Sequence, residues 1–176
     1  MVTEIFILSV LRSGPVHGYE LKRRVARPLV APMSNNTLYS ALRRLEAEDA
    51  VTHVVELQEG KPARKVYTIT DRGLELLHER VSVLPATLAR DTEEFLVRVS
   101  FFGELTPEQR AGVCDARRRV LDTAEAQLRH VIDESAIVPE RAWRNLAMRR
   151  VLDDVERELG WLDELGGHVD EESPAM

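Results

Sequence analysis

Cysteine is nearly missing from this 176-residue chain: Cys114 stands alone. A lone thiol cannot close an intramolecular disulfide, so packing must hold the fold, and the cytoplasm is the expected compartment. Aromatic residues are scarce at 5%, which leaves the core to Leu, Val and Ala and favours helices with aliphatic stripes. Long apolar runs are absent too. The one near the start, Ile5 to Leu11, is broken by Ser9 and is far short of the ~20 residues of a membrane span. Nothing at the start has the build of a secretory signal, so no membrane partner is expected. The sequence has no GxSxG, HExxH, P-loop, GxGxxG or CxxC pattern. His17, His53, His78, His130 and His168 are scattered without metal-ligand spacing. We therefore expect no enzyme, no metal and no cofactor.

What is present is charge, unevenly placed. Hydrophobic residues make up 44% and charged residues 31%, the balance of a chain that folds with a highly charged surface. The net charge of -6 conceals an asymmetry. Up to position 70 there are ten basic and seven acidic residues; beyond it, fourteen and twenty-three. All three lysines, Lys22, Lys61 and Lys65, lie in the first part. A basic head on an acidic tail suits a protein whose head alone meets phosphate.

Local patterns divide the head into three helices and a hairpin. Ile5 and Leu8 sit at helical spacing before the Ser13-Gly14-Pro15 breaker. A second helix is expected from Gly18 to Arg27, stopping before Pro28. After the loop-like Ala31-Pro32-Met33, Ser34 is the N-cap of a third helix to about Glu48, with Leu38, Ala41, Leu42 and Leu45 as its apolar stripe. Val51, Val54, Val55 and Leu57, the turn residues Glu59-Gly60-Lys61-Pro62, and Val66 to Ile69 then read as two strands. Thr70 and Asp71 cap a helix to about Val83, where Leu84-Pro85 interrupts. Helix, helix, helix, hairpin is the order of a winged helix-turn-helix. In the tail, Thr106-Pro107-Glu108-Gln109 forms a capping box with Pro at the first helical position. Two long helices follow, meeting near Pro139; the second is expected to end at Gly166-Gly167. The fold class is therefore mainly α, a winged helix-turn-helix with a two-stranded wing plus a helical C-terminal dimerisation domain. Its expected boundaries are 1–83 for the DNA-binding domain, 84–169 for the helical dimerisation or effector domain, and 170–176 for a disordered tail.

The third helix opens on Ser34, Asn35, Asn36 and Thr37 and continues with Tyr39, Ser40, Arg43 and Arg44 around its buried stripe. Asn can match adenine in the major groove, hydroxyls serve base edge or phosphate, and Arg grips guanine or phosphate with two prongs. At the hairpin tip, Lys61, Arg64 and Lys65 present cations to a backbone. A solvated polar face would look the same in either segment by itself; their succession favours DNA. In the tail, Val120, Leu128, Trp143, Leu152, Val155, Leu159 and Leu162 recur at helical spacing, and an antiparallel pair leaves part of each stripe for a second subunit. Trp143 and Trp161 read as core or interface anchors ahead of a stacking site for a planar effector. Cys114 reads as a small buried hydrophobe.

The stretches GPVHGYEL at 14–21, SNNTLYSALRRLEAEDAV at 34–51 and RKVYTITDRG at 64–73, in that order and spacing, resemble the PadR family of transcriptional regulators. EEFLVRVSFFGELTPEQ at 93–109 and ELGWLDEL at 158–165 extend the resemblance to its longer subgroup with a helical C-terminal domain. The resemblance implies a homodimer, usually a repressor, on a palindromic double-stranded operator, with DNA released by a bound effector or cue. It implies a phosphate contact for Tyr39, a groove-facing place for Asn36 and Thr37, a wing contact for Arg64 or Lys65, and flanking roles for Tyr19 and Lys22. The chain departs from the family pattern at Asn36, commonly Gly, at Ser40, commonly Pro, and at Asp49-Ala50, commonly Gly followed by a larger apolar residue. Asp can still take the left-handed turn that ends a helix. A protein-interaction adaptor and an enzyme working in the cavity between the helices are the rival readings, and each explains less of the pattern.

Overall fold

The computed structural model describes residues 1–25, 34–58, 61–135 and 142–171, and at 25, 57–58, 61–63, 135 and 168–171 the backbone alone. The expected end of the second helix, the 31–33 loop, the tip residues 59–60, the break near Pro139 and positions 172–176 of the expected tail lie outside the described residues. The chain divides into two compact units, Met1–Val83 with Leu96–Phe101, and Leu84–Phe95 with Phe102–Met176.

In the first unit, α1 (Val2–Arg12), α2 (Gly18–Val25), α3 (Asn35–Ala47) and α4 (Asp71–Ser82) accompany a small antiparallel sheet. Ile5, Ile7, Leu8 and Leu11 of α1 are fully buried with Leu38, Ala41, Leu42 and Leu45 of α3. Leu76, Leu77 and Val81 of α4 join the same core. At ~1.5–3 kcal/mol for each fully buried aliphatic side chain, these stripes supply most of what holds the unit together. The hairpin strands are β2 (Val51–Gln58) and β3 (Lys61–Ile69), with Val54 opposite Val66 and an irregularity between Glu56 and Gln58. A third strand, β1 (Val16–His17), pairs with β3 and places Val16 opposite Tyr67, so the order is β1-β3-β2. Two residues carry no periodicity, which is why the sequence pattern shows only the hairpin.

The end of α3 is a Schellman turn. Asp49 sits at φ 56°, the Ala50 amide donates to the Leu45 carbonyl (2.9 Å) and the Asp49 amide to that of Glu46 (3.1 Å). Asp49 therefore does take the left-handed conformation. Thr70 caps α4, its hydroxyl oxygen accepting from the Gly73 amide (3.0 Å) while its amide donates to Ala50 O (3.1 Å). Gly73 is required here, because a Cβ would stand 2.1 Å from the Ala50 carbonyl oxygen. Glu4, almost buried, accepts from Arg44 Nε of α3 (2.6 Å) and Arg80 Nη1 of α4 (2.8 Å), and Arg80 also holds Glu48 (2.9 Å). One carboxylate thus joins three helices.

In the second unit the capping box forms as read: the Thr106 amide donates to Gln109 Oε1 (3.0 Å) and the Gln109 amide to Thr106 Oγ1 (3.3 Å). It follows the short α5 (Thr92–Val99) in sequence and starts α6 (Pro107–Ser135), which runs antiparallel to α7 (Ala142–Glu171), as the pairs Arg118–Asp163 (2.6 Å) and Arg129–Glu156 (2.6 Å) show. The helix continues through Gly166 and Gly167 to Glu171, past the glycine pair where the sequence pattern puts its end. Glycine in a helix interior costs only ~1 kcal/mol and does not break the ladder as proline would. Arg117 is buried, paired with Glu158 (2.7 Å), bonded to Ala89 O (2.8 Å) and Thr92 Oγ1 (2.9 Å), and lies over the Phe95 ring. Trp161 meets Phe95 edge-on at 5.9 Å.

Candidate nucleic-acid interface

The buried stripe of α3 fixes where its other side chains go. Ser34 Oγ accepts from the Thr37 amide (3.1 Å) and bonds the Thr37 hydroxyl (2.8 Å), so both are occupied in starting the helix. At 100° per residue, the direction opposite Leu38, Ala41, Leu42 and Leu45 belongs to Asn36, Ser40 and Arg43. Of these, Asn36 and Arg43 are exposed and Ser40 is half-buried. Arg43 Nη2 donates to Ser40 Oγ (3.1 Å). On one flank, Asn35 Oδ1 accepts from Lys22 Nζ of α2 (2.9 Å), and Tyr39 leans toward Gly18. On the other flank Arg44 is engaged by Glu4, which puts this candidate contact in the network between helices.

Tyr39 also lines a cleft of about 550 Å³ shared by α2, α3 and β3. Tyr19 and Tyr39 flank it, Arg64 and Lys65 supply its positive charge, His17 forms part of the wall and Tyr67 the buried floor. Four of the residues singled out from the sequence therefore line one cleft, Tyr19 (80% exposed), Tyr39, Arg64 and Lys65, while Lys22 is tied to Asn35 at the start of α3. Lys61 begins β3 opposite Gln58, and its side chain lies outside the description. Gly18 keeps the cleft open, since a Cβ there would lie 3.3 Å from the Tyr67 ring and 3.5 Å from the Tyr39 hydroxyl. Sequence reasoning missed His17 and Gly18 as walls, for they gather only because β1 pairs with β3.

The electrostatics fit an anion. Glu20, at the rim, is held below the usual carboxylate range chiefly by its hydrogen bond from Arg24, with Arg23 adding to it. Its charge is thereby matched on its own helix. Burial, and then the nearby Glu46, push the Tyr67 hydroxyl up to about 12, so the floor is a neutral phenol. His53 packs on Tyr67 and its Nδ1 meets Glu46 (2.5 Å). No cluster among the described residues could hold a metal ion, and no described helix is long and apolar enough to cross a membrane.

The candidate dimerisation residues are distributed differently. Leu162 is covered by its own chain, Val120, Leu128, Leu152, Val155 and Leu159 are half-buried, and Trp143 is 83% exposed. Leu146 and Val151 of α7, absent from the sequence selection, are also exposed. Cys114 is half-buried and its thiol is pushed up by burial first, then by Asp115, which keeps it in the unreactive protonated form.

Comparison with known proteins gives the following similarities. Residues 7–79 match the model of the Transcriptional regulator PadR-like family. The Negative transcriptional regulator PadR of Bacillus subtilis is 28% identical over 113 residues, 61% of this chain and 60% of that protein's length. Among solved structures, B. subtilis PadR in complex with operator DNA is 19% identical with a TM-score of 0.43, covering 96% of this chain and 99% of that one. A transcriptional regulator from Clostridium thermocellum is 28% identical with a TM-score of 0.39, covering 43% and 75%. The match falls within the first unit, so residues 7–79 are similar in sequence to the PadR-like family of transcriptional regulators.

Proposed function

We propose that the protein is a homodimeric repressor of an inverted-repeat operator, built from a reading head over 1–83 and a helical arm over 84–169. One observation carries the reading: Tyr39, on the flank of α3 beside its outward polar face, lines one cleft together with Tyr19 and the cations Arg64 and Lys65 of β3. A helix laid in the major groove turns its outward face to the bases and its flanks to the two backbones. Asn36, Ser40 and Arg43 are then base-facing, with Asn35 and Thr37 at the tip of the helix behind the Ser34 cap. Tyr19, Lys22, Tyr39, Arg64 and Lys65 follow phosphate. Lys61 extends that contact along the wing, and Arg44 holds the helix against Glu4.

The arm supplies the second subunit. Trp143, Leu146 and Val151 expose apolar surface on α7, and a second copy is the partner a symmetric operator requires. Val120, Leu128, Leu152, Val155, Leu159 and Leu162 back that surface. DNA as the partner puts the protein's work in the cytoplasm. Release by a small-molecule effector completes the proposal; B. subtilis PadR has been solved both with operator DNA and with p-coumaric acid.

The test is selection of bound fragments from a randomised DNA pool at near-physiological salt. Enrichment of an inverted repeat with half-sites about one helical turn apart supports the reading. Absence of any bound sequence, even at low salt, refutes it.

A further inference from the structure

We propose that Arg43 reads a guanine in each half-site and that Ser40 is the positioning residue that aims it. The inference rests on the DNA-reading function above and adds a base identity to it. Arg43 is exposed, on the side of α3 opposite the buried stripe, whereas the phosphate-directed Tyr39 and Lys22 occupy a flank. A group in that central line meets base edges before it meets either backbone.

The Ser40 hydroxyl oxygen accepts from Arg43 Nη2 at 3.1 Å, its one partner among the described residues. Two consequences follow from donor and acceptor chemistry. The bond fixes a long side chain, so less rotamer freedom is lost when the guanidinium fork docks. The guanidinium so held carries donors and no acceptor, so the fork it presents is donor-only. In the major groove guanine offers two adjacent acceptors, N7 and O6, while adenine sets an amino donor beside its N7. A donor-only fork fits the first and repels the second. Asn36, one turn earlier, keeps both its carbonyl and amide groups free among the described residues and is not restricted in this way.

The experiment repeats the selection with the full-length protein and three variants, Arg43→Met, Arg43→Lys and Ser40→Ala, each checked for unchanged helicity and dimer mass. Wild type is expected to enrich one guanine per half-site, preferred over adenine by about 5- to 150-fold in direct binding, the span of a two-pronged contact. Arg43→Met should abolish that preference. Arg43→Lys keeps the charge without the fork, so discrimination should fall while the dependence on salt stays. Ser40→Ala should reduce discrimination at that position and leave the other bases of the half-site as selective as before, which loss of mere stability would not do. Guanine preference that survives Arg43→Met, or that is untouched by Ser40→Ala, overturns the assignment. So does an equal loss of affinity on all sequences, the mark of a phosphate contact. A wild type that enriches nothing removes the DNA reading itself; an enriched operator with no Arg43-dependent position removes only this inference.

Discussion

Adding one methyl group at Gly73 should loosen the joint between the end of α3 and α4. The Cβ of Gly73→Ala would stand 2.1 Å from the Ala50 carbonyl oxygen and 2.6 Å from Ile69 Cγ1. The oxygen belongs to backbone already fixed by the Schellman turn and by the Thr70 amide at 3.1 Å, so it cannot swing aside as a side-chain tip would. Overpacking of this kind costs ~1–3 kcal/mol, and displacing the carbonyl forfeits a hydrogen bond worth ~1 kcal/mol. Alanine's better helix propensity returns about 1 kcal/mol. The balance is a destabilisation of about 2 kcal/mol, or a drop of roughly 1 M in the urea midpoint at ordinary slopes. Equilibrium urea unfolding by circular dichroism measures it. Gly112→Ala in α6, where a Cβ would meet nothing within 4 Å, should add ~0.5–1 kcal/mol of stability and raise the midpoint accordingly. If Gly73→Ala matched wild type, or rose alongside Gly112→Ala, the close approach of α4 to Ala50 would be wrong.

Three further outcomes are expected. Asp49→Gly should stabilise the first unit by ~1 kcal/mol, because glycine accepts φ 56° without the Cβ penalty; a lower thermal midpoint would contradict the turn. Lys65→Ala and Tyr39→Ala should weaken binding on all DNA sequences while leaving the dimer mass unchanged, and Lys65→Ala should flatten the plot of log affinity against log salt by ~0.9; unaltered affinity in both would rule out the docking. Tyr67, whose hydroxyl titrates near 12 in the fold against an ordinary 10, adds stability that is complete below pH 10 and is lost as pH rises toward 12. Ultraviolet titration should find a tyrosine resisting ionisation until about pH 12, and Tyr67→Phe should remove that step.

Much of the fold was legible where its signals are local. The Ser34 cap, the α3 stripe, the Thr70 cap and the Thr106 capping box each lie within a few residues, and each forms the predicted bond. Features that depend on distant partners left no trace in the sequence. Strand β1 exists because β3 offers an edge 50 residues on, and with it come His17 and Gly18 as cleft walls. Buried Arg98 and Arg117 resemble surface residues in any pattern; Val83 O and the Glu158 and Ala89 contacts that satisfy them become neighbours only on folding. Gly166 and Gly167 read as a stop, yet glycine ends a helix reliably only when the chain also turns, and α7 does not turn there.

The three sides of α3 have separate obligations. One builds the core, one is tied to Lys22, and one, through Arg44, is held by Glu4, while Asn36, Ser40 and Arg43 bear almost none of the structure. Substitutions at those three positions can therefore accumulate at nearly constant stability. On the proposed docking, a descendant of this chain could acquire a new operator by drift along one helix face, and a library randomised at the same three positions would explore new target sites without first repairing the fold.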